Sequence, residues 1–142
     1  MVLVSFFLVF VTVIAATMLD LSGGRADAVA LQQAQQAARD IATSADQVYI
    51  QGDDAVVLKQ VFFPAKLGNV FIGSPPPGVS GHEIILRMNT SSGSTDVVVM
   101  TTGVVKEGAV SKKLNSRLGA GLREVRIRND QVNNMVVVEY AN

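Results

Sequence analysis

The 142 residues suffice for one domain of ordinary size plus an apolar arm. Twelve basic and twelve acidic side chains cancel, so the chain is no polyelectrolyte and its charge gives no reason to expect a nucleic-acid partner. The absence of cysteine removes disulfides, thiolate metal sites and a cysteine nucleophile together.

Residues 1–19, MVLVSFFLVFVTVIAATML, carry no charge. Such a segment, as a helix of about 20 residues, reaches roughly 30 Å, the thickness of a bilayer's hydrocarbon core. Val2, Leu3, Phe6, Phe7, Phe10, Val13, Ile14 and Leu19 stand in this run, and each large side chain gains about 1.5–3 kcal/mol on burial. The segment therefore needs an apolar home. A cleavable secretory signal is disfavoured, because no basic leader precedes the run and it is longer than the usual stretch of about 7–15 residues.

Polarity changes abruptly at Ser22-Gly23-Gly24-Arg25. Two adjacent glycines cost a helix roughly 1 kcal/mol each relative to Ala, so a break or hinge is expected at Gly23 and Gly24. A second helix is expected over 26–50, with Asp27 in its first turn at the positive end of the helix dipole. Its apolar seam, Leu31, Ala34, Ala38, Ile41, Ala45 and Val48, advances in steps of three and four. The small alanines allow close approach either to a sheet of the same chain or to a neighbouring subunit.

Gly52-Asp53-Asp54 ends the helical pattern. Strands are expected over 56–63, 69–72, 83–88, 97–100, 122–128 and 135–140, with Pro64 and the 73–78 run GSPPPG as stops. Residues 111–118 are open between a short helix and an exposed loop. Short strands at this spacing predict an α+β chain: a long N-terminal hydrophobic helix, then a small antiparallel β-sandwich-like domain or a twisted antiparallel sheet. The domain organisation is accordingly 1–50 as a helical arm (1–21 hydrophobic, 26–50 amphipathic) and 51–142 as a β-rich globular domain.

Chemical motifs are sparse. His82 has no cysteine near it, and Asp53-Asp54 lacks the spacing of a calcium loop. Lys112, Lys113 and Arg117, with Arg123, Arg126 and Arg128, give a mild basic patch that is expected to be a solvated face. No acid–base, nucleophile or metal constellation stands out, so no catalysis, cofactor or metal is expected. Asn89-Thr90-Ser91 is an N-x-[ST] sequon in a predicted surface turn, which makes Asn89 the candidate glycosylation site.

The order of apolar helix, glycine-marked break, alanine-rich helix and β-rich domain resembles a mature archaeal type IV pilin. The helix-to-strand junction, Ile41 to Gly52 followed by Val56 to Phe63 and Pro64, is similar to that of archaeal pilins with class III signal peptides. The missing basic leader agrees with removal by a prepilin peptidase. Bacterial pilins generally carry Glu at the fifth mature residue; counted from Met1, this chain has Ser5 there, which favours the archaeal pilins and archaellins. The resemblance implies a structural subunit of an extracellular filament used in adhesion, assembled through its apolar helix. Its implied partners are identical subunits, the membrane before assembly, the peptidase and the assembly machinery. The same layout also fits an archaellin or a membrane-anchored minor pilin or pseudopilin.

Overall fold

The computed structural model describes residues 2–74, 79–108, 114 and 119–141, and within its long helix the side chains of residues 7–15 and 24–51. That helix, α1 (Val2–Gln51), is 50 residues long. Six strands follow: β1 (Val56–Phe63), β2 (Leu67–Ile72), β3 (Gly81–Thr90), β4 (Gly93–Glu107), β5 (Gly121–Asp130) and β6 (Met135–Tyr140). The 75–78 loop and most of residues 111–118, left open by sequence, lie outside the described residues.

The strands form one sheet in the order β1-β5-β6-β4-β3-β2. Every pairing is antiparallel except β4 with β6, which run parallel from Val105↔Val136 to Glu107↔Val138. The expected antiparallel sandwich is therefore corrected to a single mixed sheet. Its cause lies in α1. A sheet needs one apolar layer against its buried face, and the alanine-rich side of the helix supplies it without a second sheet.

Two further expectations about the helix are corrected. α1 runs unbroken through Gly23 and Gly24, where a hinge was expected. Helix propagation adds a hydrogen bond per residue once a nucleus exists, so turns on both sides hold two glycines in register. The long hydrophobic helix is also not what the chain forms. Among the described residues no helix is long and apolar enough to cross a membrane. The apolar character of the described part of α1 is concentrated at 7–14, and from Gly24 onward it is alanine-rich and polar.

Ala30, Ala34, Ala37, Ala38, Ile41, Ala42, Ala45 and Val48 form the buried side of α1. They share one core with Val61, Phe63, Ile84, Leu86, Met88, Val105, Val125, Ile127, Val136 and Val138 of the sheet. Strand alternation produces this face, as in β1, where Val61 and Phe63 are buried and Phe62 between them is exposed. Gly52 stops the helix, adopting φ +77° while its N–H donates to the carbonyl of Val48 at 3.2 Å.

Candidate assembly surface

The first seven turns of α1 precede Asp27, where the helix meets the sheet. Of this stretch, Phe7, Leu8, Val9, Phe10, Val11, Val13 and Ile14 are 42–69 % exposed. Successive helical residues are about 100° apart, so these seven cover every side of the helix rather than one stripe. Thr12, the polar residue among them, turns its hydroxyl back onto its own helix, donating toward the carbonyls of Leu8 at 2.9 Å and Val9 at 2.8 Å. Residues 7–14 thus offer an uncharged, apolar cylinder whose one side-chain hydroxyl has an acceptor. Of the apolar residues picked from sequence, Phe7, Phe10, Val13 and Ile14 lie on this cylinder. The side chains of Val2, Leu3, Phe6, Leu19 and Gly23 lie outside the described residues, whereas Gly24 is exposed with open space around it.

Asp27 fixes the point where the arm leaves the domain. The residue is 8 % exposed, and its carboxylate accepts from Lys66 Nζ in the β1–β2 turn. Its other oxygen accepts from the Ser91 hydroxyl and, at 2.9 Å, from the Ser91 backbone N–H in the β3–β4 turn. The two turns are themselves joined, because the Asn89 N–H donates to the Lys66 carbonyl at 2.8 Å. The Lys66 ammonium first, then the Ser91 hydroxyl and amide, hold the Asp27 carboxyl down from 3.8 to about 2, against a smaller upward push from burial. Sequence reading placed Asp27 in the first turn of a helix. The unbroken α1 puts it well inside one, so its role is to join three chain segments, not to complement a dipole.

The far end of α1 is pinned as well. Between Met100 and Val105 the pairing of β4 with β3 is interrupted by a bulge, and at Val105 β6 joins its other edge. There the Thr102 N–H donates to Asp46 Oδ1 at 2.7 Å. One residue on, Gly103 lies under the Tyr49 ring, and a Cβ at that position would sit 2.6 Å from ring carbons. Held at Asp27 and at Asp46–Tyr49, roughly 30 Å apart along a helix, α1 is fixed in direction, and so is the arm that continues it.

A groove opens beside α1 within two turns of Asp27. Ala28, Leu31, Gln32 and Gln35 form one wall and Asp96, Val97 and Val98 of β4 the other, around a volume of about 500 Å³. It exists because β6 joins β4 only at Val105, leaving the edge of β4 before that residue without a strand on this side among the described residues. Asp96 brings no free charge to it. Arg87 Nε and Nη2 grip its two oxygens at 2.7 Å each, lowering its pKa, and the same guanidinium lies 5.3 Å over the Phe71 ring.

The seam residues Ala34, Ala38, Ile41, Ala45 and Val48 face the chain's own sheet, and Leu31 is half-buried at the groove. Asn89 is exposed at the end of β3, and Ser91 of its sequon is the residue bound to Asp27. His82 is exposed on β3, and Asp53 and Asp54 form an exposed turn. Arg123 and Arg126 lie on β5, and Arg128 Nε is 3.7 Å from Glu139; Lys112, Lys113 and Arg117 lie outside the described residues. Among the described residues no cluster of His, Asp or Glu is placed to hold a metal ion. Asp27, Asp46 and the groove were missed by sequence reading. Asp27 and Asp46 are charged residues at i and i+19 of one helix, and only the tertiary pairing gives them partners.

No family model, curated protein or solved structure matches the chain.

Proposed function

We propose that this chain is the structural subunit of an extracellular filament of the archaeal type IV pilus kind, assembled by packing the N-terminal arms of many copies and serving surface attachment. The carrying observation is the apolar cylinder at 7–14. Its seven large side chains are about half exposed, so completing their burial is worth about 5–10 kcal/mol, comparable with the net stability of a domain. A two-helix seam covers only one stripe of each helix, whereas this arm is apolar all round and needs neighbours on every side. Parallel arms surrounded by copies of themselves meet that need, and each helix satisfies its own backbone groups. One such contact repeated without closure gives an open helical fibre. The turned-in Thr12 hydroxyl suits the same environment.

The resemblance to pilins supplies the extracellular location, the passage through a membrane before assembly and the dependence on a peptidase and an assembly machine. The direct experiment is to shear native cells and image the detergent-free fraction. Thin fibres containing this chain support the filament function. Recovery of the chain solely as detergent-extracted monomers would refute it and favour an anchored minor pilin. Fibres lost together with swimming on deletion of the gene would make it an archaellin.

A further inference from the structure

We propose that the groove between α1 and the open edge of β4 receives the apolar arm of a second copy of this chain, an inference that rests on the filament function above. The groove and the arm match in chemistry. Leu31, Val97 and Val98 give it apolar walls, Gln32 and Gln35 are neutral, and Asp96 is already gripped by Arg87. An incoming cation or anion finds no free counter-charge there, whereas residues 7–14 bring none to be matched. The groove also lies on the same rigid helix as the arm. Val11 and Leu31 are twenty residues apart, roughly 30 Å along the axis. Two parallel subunits offset by that distance place the arm of one in the groove of the other. The contact joins different patches on the two copies, so it propagates instead of closing. It also covers the VVVM stretch of β4, 97–100, an edge segment with no proline or lysine to deter unwanted strand pairing.

The chain has no cysteine, which makes cross-linking direct. Gln32→Cys is paired in turn with Phe7→Cys, Phe10→Cys, Val11→Cys and Ile14→Cys, and each variant is oxidised after polymerisation. Within one straight helix these positions are roughly 27–38 Å apart, so every disulfide formed joins two subunits. A ladder of dimers, trimers and higher species on a non-reducing gel is expected for at least one arm position. Gln33→Cys, about 100° round the helix from Gln32 on the flank that faces Phe62 of β1, replaces Gln32→Cys as the control and is expected to give none. Filaments that form normally without any Gln32 ladder would overturn the groove assignment and leave the filament function standing. Failure of the unsubstituted chain to form filaments would instead remove the function itself. Val98→Glu is the second test, since Val98 is exposed at the groove and the substitution should leave the fold intact, which a circular dichroism melt checks. It should raise the subunit concentration needed for polymerisation at least tenfold, and an unchanged value would also overturn the assignment.

Discussion

Val11→Lys separates filament assembly from folding. Val11 is 47 % exposed in the single chain and lies sixteen residues before Asp27, where α1 joins the domain. The domain should therefore keep its stability, with an unchanged thermal midpoint. In the packed arms the substitution forfeits the remaining apolar burial, about 1 kcal/mol. It also places an ammonium among apolar helices, for which a helix-centre cost of about 2.5–3.5 kcal/mol applies. The total of about 4 kcal/mol corresponds to roughly a thousandfold rise in the subunit concentration at which fibres appear, at about 1.4 kcal/mol per factor of ten. Pelleting of polymer across a concentration series reads this, with circular dichroism melts of the supernatant confirming the fold. Phe7→Asp should behave alike. Fibres forming at the parent concentration would refute the burial of residues 7–14 between subunits.

Three other outcomes follow from the junctions. The Asp27 carboxyl is depressed to about 2 in the folded chain from an ordinary value of 3.8, so its stabilisation is complete above about pH 4 and is lost as pH falls toward 2. Denaturation midpoints of the parent and Asp27→Asn should differ at pH 5 and converge by pH 2; a constant gap would contradict the Lys66–Asp27–Ser91 linkage. Gly103→Ala should lose about 1–3 kcal/mol in urea denaturation, because its methyl meets the Tyr49 ring, and much less in a Tyr49→Ala background. Strictly additive losses would show that the ring does not press on Gly103. Native filaments should carry extra mass on the peptide spanning residues 88–95, at the exposed Asn89. An unmodified peptide in the intact material would reject glycosylation there.

The sequence was informative where a periodic pattern and its environment agreed. The β-rich run 56–63, stopped by Pro64, and the apolar run 135–140 marked β1 and β6 at their observed ends; β1 has one face against the core, and β6 is buried along nearly its whole length. The three–four spacing from Ala34 to Val48 identified the face of α1 that is buried, but not what buries it. Alanines fit a sheet and a neighbouring helix equally well, and only the fold decides for the sheet. Gly23–Gly24 misled because propensity is a local penalty, whereas helix continuity is set by the turns on both sides. The sandwich expectation failed for a related reason. Strand count and spacing carry no record of which layer covers the sheet, nor of the parallel entry of β6 beside β4. The contacts of Asp27 with Lys66 and Ser91 span 39 and 64 residues, a range over which no sequence periodicity operates.

Helical reconstruction of sheared, detergent-free fibres by cryo-electron microscopy bears most directly on whether the arm is an assembly element. Residues 7–14 should lie in a central bundle of parallel helices, with every subunit's sheet outside it and neighbours offset by roughly 30 Å where an arm meets a groove. Fibres held together by their sheets with the arms facing solvent, or preparations containing only detergent-bound monomers, would contradict it.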